Sequence, residues 1–552
     1  MTIYSAMKTR SLLWLWELTA GIRTKLFVNC FLGIIRISAS LAFIYTSKLL
    51  IDAATSSDIR QDHNITSLSV FLIALFIIQI CSGLATSWYS NQNEVKTKNM
   101  IRQKLFEHLL KAKWSGMEAF HSGDILNRLE EDVRLIADTL SRTLPEIAVA
   151  SFNLLAAFVF LWQLNHSLAW AIIAIMPAFL LISKVYISKM RTLTHDIRET
   201  DSQVQSVIQE SIQHRLLIQT MQQSDLIGDK LSGLQDILYN QTLRRTRFTV
   251  FSRAMVTCGF AAGYLFTFLW SIQQLNLGLI TYGTMAAFLQ LVTQIQRPTV
   301  ELTRLLPSII HATTSADRLL QLSDIPLEND LEKGIILEGP VGIQLSNVSY
   351  KYPQGERAIF QHFSYHFNPG SRTAIVGETG VGKSTLFRLI LALLTPDQGD
   401  IILQSKDKDY PMSPSLRGNI AYVPQGNTLL SGTIRQNLLL ANPLATEEEL
   451  RHALYTASAE FVYKLPNGLD TVCGEKSEGL SEGQAQRIAI ARGLLRPGNI
   501  MLFDEFSASL DLETEKVLIT RLLENYPQKT MIFITHRDHI LKYCSDVIRL
   551  SF

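Results

Sequence analysis

Cysteine is scarce in this sequence: Cys30, Cys81, Cys258, Cys473 and Cys544 are scattered over 552 residues with no CxxC pair. That excludes a disulfide framework or a thiolate zinc site and leaves the five as small apolar packing residues. Charge of one sign is missing too, since 51 Lys and Arg stand against 49 Asp and Glu. Without a basic face or tail, a nucleic-acid partner is not expected. Nor is a removable leader expected: Met1 to Lys25 carries basic residues and the short apolar patch Leu12 to Trp16, but no small-residue cleavage site. Residues 1–25 are expected instead to lie in a membrane interface, with Trp14 and Trp16 at headgroup level beside Lys8, Arg10 and Arg23.

Charged residues make up only 18% of the chain, and they are thinnest in its first three hundred positions. Long apolar runs take their place. A bilayer core about 30 Å thick needs about 20 mainly apolar helical residues, because backbone NH and CO groups find no water there. Six such spans are expected, at 26–51, 67–89, 145–164, 167–187, 254–275 and 279–297, making residues 26–300 an all-α transmembrane domain of three hairpins. Lys96, Lys98, Arg102, Lys104, Lys111 and Lys113 follow the second span, and Lys184, Lys189, Arg191, Arg244, Arg245 and Arg247 lie between the fourth and fifth. The opposite loops offer only Arg60, so both termini are expected in the cytoplasm, at a plasma or inner membrane.

The two cytoplasmic connections, about 90–145 and 185–253, keep helical periodicity. Ile101, Leu105 and Leu109 fall four apart, as do Val204, Ile208, Ile212 and Leu216. The spacing predicts that the spans continue into the cytoplasm as packed helices, returning through turns at Phe120 to Asp124, where Gly123 interrupts the pattern, and at Gln209 to Arg215. Arg36 is the most informative charge inside a span. It lines a substrate cavity or snorkels to the headgroups, and the residues leave both open.

After a linker expected over 301–340, the pattern changes to short β-rich runs alternating with helices, giving an α/β domain at 341–552. Thr373 to Val376 reads as a buried strand leading into Gly377, Glu378, Thr379, Gly380, Val381, Gly382, Lys383, Ser384 and Thr385, with a helix expected over Leu386 to Leu394. This is the GxxxxGK[ST] phosphate loop in its required strand-to-helix setting: backbone NH groups close around phosphate oxygens, Lys383 reaches the outer phosphates and the Ser384 hydroxyl suits Mg²⁺. A second apolar strand, Ile500 to Phe503, ends in Asp504 and Glu505, acids suited to holding Mg²⁺ and activating water.

Between these motifs, Leu480-Ser-Glu-Gly-Gln-Ala-Gln-Arg-Ile-Ala-Ile-Ala-Arg492 closely resembles the signature helix of ABC (ATP-binding cassette) proteins. Tyr352 looks like the aromatic that stacks on adenine, Gln425 in Val-Pro-Gln like the Q-loop, Asp511 in Ala-Ser-Leu-Asp like the D-loop and His536 in Ile-Thr-His like the switch histidine. Six spans followed by one cassette is the layout of the exporter half-transporters, and Gly278-Leu-Ile-Thr-Tyr-Gly283 and Ala316-Asp-Arg-Leu319 also look like that group.

The resemblance implies ATP and Mg²⁺ as ligands, with Asp504, Ser384 and Gln425 around the metal, Glu505 polarising water and His536 steadying the γ-phosphate. Ser481, Gly483 and Gln484 would complete the site of a second copy, so a dimer is implied, most simply a homodimer, with a heterodimer as the other case. Glu482 departs from the family by standing where glycine is usual, and it sets a carboxylate near a polyphosphate. The expected function is ATP-driven export of a hydrophobic, lipid-like or peptide substrate by alternating access. A membrane regulator of the same fold without net transport is the competing reading, and Glu505 favours turnover.

Overall fold

The computed structural model describes residues 10, 13–17, 19–55, 62–118, 120–328, 334–353, 355, 357–406, 408–473 and 480–551, and leaves undescribed the side chains of 62–64, 171–188, 191, 303 and 306. Lys8, Leu12 and Arg60 therefore lie outside the described residues, as do the side chains of Lys184 and Arg191. Two compact units are present, Met1–Glu107 with Ser122–Ser323, and His108–His121 with Asp324–Phe552.

The first unit is built on six long helices: α1 (Arg23–Thr55), α2 (Asp62–Lys111), α3 (Leu144–Leu164), α4 (His166–Gln213), α5 (Ser224–Asn276) and α6 (Tyr282–Ser323). Among the described residues, four helical stretches are long and apolar enough to cross a membrane: Arg23–Thr55, Ile65–Lys111, Ser122–Leu164 and Ser224–Asn276. Helix α5 has 53 residues, about 80 Å at about 1.5 Å per residue, more than twice the apolar thickness of a bilayer.

Several boundaries differ from the sequence expectation. Residues 301–323, expected as linker, belong to α6, which contains both Pro298 and Pro307. Each proline removes an NH donor and would ordinarily break the helix. Here Leu305, Ala312, Ala316, Leu319 and Leu322 are buried along its length, and that packing outweighs the local preference.

The expected hinge at Phe120 to Asp124 is displaced. Helix α2 stops at Lys111 because the following backbone turns to strand-like pairing: Ala112 bridges Leu327, Lys113 N donates to Pro326 O at 2.9 Å and Glu328 N to Lys111 O at 2.9 Å. Gly123 lies inside the short helix Ser122–Asn127. The second turn comes slightly late: α4 ends at Gln213, a six-residue helix covers Arg215–Thr220, and α5 starts at Ser224.

Polar side chains tie the bundle together. Gln294 of α6 donates to Ser40 Oγ of α1 at 2.6 Å and accepts from Asn153 of α3 at 3.3 Å. Asp52 of α1 accepts from the Gly283 NH at 2.9 Å. Between Asn127 and Leu144 the chain has two π-helical turns, Arg128–Asp132 and Thr139–Thr143. The first of these supplies Arg128 and Asp132 to a charge cluster with Asp124 and Arg318.

The second unit holds two sheets. One is antiparallel, in the order β2 (Phe360–Phe367), β1 (Gly342–Tyr350), β4 (Gln398–Gln404), β5 (Asp409–Pro411). The other is parallel, in the order β11 (Asp546–Leu550), β3 (Arg372–Gly377), β10 (Thr530–Ile534), β9 (Ile500–Asp504), β6 (Ile420–Val423). The two-residue strands β7 (Gly432–Thr433) and β8 (Val472–Cys473) pair separately. Strands β9 and β10 are buried throughout, as continuous apolar runs in a parallel sheet require. Helices α7 (Lys383–Ile390), α8 (Glu482–Leu494) and α9 (Leu512–Asn525) accompany the sheet. Helix α7 starts and stops earlier than the expected Leu386 to Leu394, since it opens at the last glycine of the phosphate loop and closes before Ala392, whose φ is +49°.

Candidate nucleotide site

Four parallel strands deliver the candidate residues to one edge. Strand β3 leads into the phosphate loop, β9 ends in Asp504 with Glu505 next, β10 leads to His536, and β6 leads to Gln425. Because all four run the same way, with Ile534 paired to both Ile375 and Asp504, their carboxyl ends form one rim, the place where open parallel sheets bind ligands.

The loop itself is shaped by glycine. Gly380 has φ +88° and Gly382 +104°, and a Cβ on Gly382 would lie 2.4 Å from Ile359 Cγ2. Both positions need a residue without a side chain, which turns successive NH groups inward as an anion-binding nest. Lys383 is buried beneath, its Nζ donating to Gly377 O at 2.7 Å and Glu378 O at 3.0 Å.

Lys383 Nζ also stands 3.1 Å from His536 Nε2, and the same ring nitrogen is 3.3 Å from Glu505 Oε1. One nitrogen cannot both accept from the ammonium and donate to the carboxylate, so the tautomer of His536 selects its partner. Gln425 Nε2 donates to Glu505 Oε2 at 2.9 Å. Glu505 itself has φ +44°, an uncommon conformation for a side-chain-bearing residue, and its NH is fixed to Ile534 O at 3.0 Å.

Asp504 is buried, and burial pushes its carboxyl above the ordinary range, with a hydrogen bond to Ser384 pulling the other way. Tyr422 OH reaches Asp504 Oδ2 at 3.4 Å, and burial pushes that phenol up to about 12. A buried acid beside the Ser384 hydroxyl is a pair of hard oxygen donors of the kind Mg²⁺ prefers, so these residues fit the ion.

Tyr352 stands at the side of the loop, its OH 3.3 Å from Thr385 Oγ1 and its ring 5.1 Å from Tyr350. The signature residues lie elsewhere. Ser481 caps α8, accepting from Gln484 N at 3.2 Å while Gln484 Oε1 accepts from Ser481 N at 2.9 Å. Gly483 packs so closely that a Cβ would come within 2.7 Å of Ser509 O, next to the turn where Asp511 caps α9. Glu482 is exposed in the first turn of α8, where the helix dipole favours an acid. Among the described residues, no hydrogen bond of the signature stretch reaches the phosphate loop of the same chain.

Two residues that sequence reasoning did not single out join the site. Arg388 donates to Tyr352 OH at 3.1 Å, and Tyr422 contacts Asp504. Only their spacing offered a signal: Arg388 lies five residues after Lys383, and Tyr422 three before Gln425. Arg36 is exposed on α1, its Cδ alongside Gly83 of α2.

A family profile described as ABC transporter transmembrane region matches residues 26–299, and one described as ABC transporter matches residues 360–508. An ATP-dependent lipid A-core flippase of Photorhabdus laumondii is 25% identical over 547 residues, 97% of this chain and 92% of that protein. A provisionally named multidrug export ATP-binding/permease protein of Staphylococcus aureus (strain NCTC 8325 / PS 47) is 27% identical over 541 residues, 95% of this chain and 92% of its own length. The fold also matches the solved structure of a bacterial Atm1-family ABC exporter with ATP bound, at a TM-score of 0.80 and 22% identity, covering 96% of this chain and 94% of that one.

Proposed function

Since the chain belongs to the ABC exporters that fuse a transmembrane region to one nucleotide-binding cassette, we propose that two copies assemble, hydrolyse ATP at two composite sites and drive a hydrophobic, lipid-like or peptide substrate outward by alternating access. A multi-pass membrane ATPase coupled to export is what the family provides. The finer reading rests on the convergence of Lys383, Gln425, Glu505 and His536 at one sheet edge.

In this reading Lys383 turns from its loop carbonyls to the outer phosphates, and the NH groups of Gly377 to Thr385 hold the phosphate oxygens. Ser384, Asp504 and Gln425 would hold Mg²⁺, which when bound neutralises charge on the phosphates. Glu505 takes a proton from the attacking water, and Gln425 orients Glu505 through their hydrogen bond. His536 fixes the γ-phosphate by whichever of its ring protons faces the site. Tyr352 stacks on adenine.

A second copy is needed because Ser481, Gly483 and Gln484 sit on a separate helix without a bond to their own phosphate loop among the described residues. The apolar tip between α4 and α5 supports the same reading: Leu216, Leu217, Met221 and Leu226 are all exposed in one chain, as a surface covered by a partner would be. A homodimer is the simplest assembly, with both termini and the cassettes in the cytoplasm.

The substrate class is drawn from the relatives, one named for lipid A-core and the other for multidrug export, and Arg36 is placed on its path as a charge within an apolar span. Purified protein in liposomes tests the whole. ATP-dependent movement of a lipid, drug or peptide probe that Lys383→Ala abolishes is expected; hydrolysis without movement of any probe would favour a regulator. Co-purification of tagged with untagged copies tests the homodimer.

A further inference from the structure

Within the second unit, the segment His108–His121 packs with the cassette residues and brings one carboxylate to the nucleotide site. Glu118 follows the short helix Trp114–Met117 and accepts from Arg388 Nη1 at 2.9 Å through Oε1, the same oxygen that accepts from Trp114 Nε1 at 3.1 Å. Arg388 lies in the last turn of α7, the helix that begins at Lys383, and the same Nη1 is 3.1 Å from Tyr352 OH. Tyr352 OH in turn meets Thr385 Oγ1 at 3.3 Å. The four side chains make an unbroken polar path from a loop outside the cassette sequence to the phosphate-binding helix.

Each link has a reason to be specific. The guanidinium is planar and rigid, so fixing it against Glu118 fixes where it meets the phenol. Tyr350 stands edge-on to the Tyr352 ring, at 5.1 Å and 81°, and limits how far that ring can turn. Burial pushes the Tyr350 phenol up to about 12, so this wall stays neutral. The ion pair is only half-buried, with side chains 39% and 26% exposed, so its strength is modest, and it works by aiming Arg388 more than by holding the unit together.

We propose that Arg388 is a positioning residue for nucleotide binding: it orients Tyr352, and Glu118 orients it, so that the segment 108–121 sets the affinity of the site for adenine nucleotide. The inference rests on the reading of Tyr352 as the adenine-stacking residue. By thermodynamic linkage, nucleotide binding must then reposition Glu118 and its segment by the same free energy.

The test uses the full chain in lipid nanodiscs, with ATP and GTP hydrolysis measured for Glu118→Gln, Arg388→Met, the double variant, Tyr352→Phe and Tyr352→Ala. Glu118→Gln and Arg388→Met are expected to raise KM for ATP by about two- to fivefold with kcat within twofold, and the double variant to match Arg388→Met alone, because Glu118 acts through Arg388. A purely structural role would lower the active fraction, and hence kcat, without moving KM. If Tyr352→Ala raises the KM for ATP but Glu118→Gln does not, this inference is overturned while the adenine reading stands. If Tyr352→Ala leaves both KM and the preference for ATP over GTP unchanged, both fall. Should Arg388→Met fail to fold, Glu118→Gln and Tyr352→Phe decide the matter, since the first removes the carboxylate charge that holds the arginine, the second removes the phenol hydroxyl it meets, and both leave the arginine in place.

Discussion

Gln425 Nε2 donates to Glu505 Oε2 across 2.9 Å, joining the loop after β6 to the residue that follows β9. The bond orients a carboxylate whose backbone is already fixed by its NH to Ile534 O. Glu505→Gln keeps the shape and loses the proton acceptor, so steady-state phosphate release should fall by about 10²- to 10⁴-fold, the usual worth of a general base. Equilibrium binding of ATP should survive within a few-fold. Hydrolysis retained within tenfold would move the catalytic base elsewhere.

Asp504 sits buried at a cost to stability. Burial holds its carboxyl above the ordinary 3.8, so the folded state binds this proton more tightly than the unfolded chain does. The penalty for its charge is therefore complete at neutral pH and is relieved as pH falls through the raised value, opposite in sign to a salt-bridged acid. Asp504→Asn should raise the melting temperature of the nucleotide-free protein at neutral pH by about 2–4 °C, what about 1 kcal/mol gives a domain of this size. The advantage should shrink in acid, and ATP hydrolysis should be lost. Thermal scans at several pH values check both the sign and the window.

The legible parts of this protein are those written in local sequence. The phosphate loop and the strand ending in Asp504 and Glu505 could be read directly because each is a contiguous string whose strand-to-helix setting is also contiguous. The long helices that run on beyond the apolar spans were legible from four-residue apolar spacing. What could not be read depends on contacts between distant segments. Helix α6 runs through Pro298 and Pro307 because of burial along its face, and α2 stops at Lys111 because residues 325–328 take up the next backbone groups. Arg388 and Tyr422 joined the site only when β1, β6, β9 and α7 came together.

Glu482 sets a charge in the first turn of α8, exposed to solvent. In a composite site that carboxylate faces the phosphates bound by the partner, while it also gains from the helix dipole, worth about 0.3–1 kcal/mol. Glu482→Gln should therefore lower KM for ATP by about two- to fivefold at low salt and lose most of that gain at about 0.5 M salt, where charges more than about 4 Å apart are screened. A KM that does not move at either salt concentration would place this side chain outside the composite site.

Arg36 offers a test in the membrane. It is the one charge in the apolar stretch of α1 from Leu26 to Ser47, exposed in one chain and lying against Gly83. If it borders the substrate path, Arg36→Ala should abolish or shift stimulation of ATP hydrolysis by added lipid or drug, with the unstimulated rate unchanged. If it serves only to reach the headgroups, Arg36→Lys and Arg36→Ala should both leave stimulation intact.

The charge cluster of the helical unit makes an ordered prediction about stability. Arg318 Nη1 lies 3.2 Å from Asp132 Oδ2, and its Nη2 donates to Asp124 at 2.9 Å; Asp132 is buried, and Ser315 Oγ donates to its Oδ1 at 2.7 Å. Asp124 keeps Arg128 as a second cation at 2.8 Å. Arg318→Met therefore strands one buried acid, at a cost of about 3–5 kcal/mol. Asp132→Asn leaves Arg318 still paired with Asp124 and should cost about 1–2 kcal/mol. The double variant should be more stable than Arg318→Met alone, because the acid that was stranded is gone and the two effects share one interaction. Melting curves of the detergent-solubilised protein would show this order; additive losses would mean that the two residues do not act on each other.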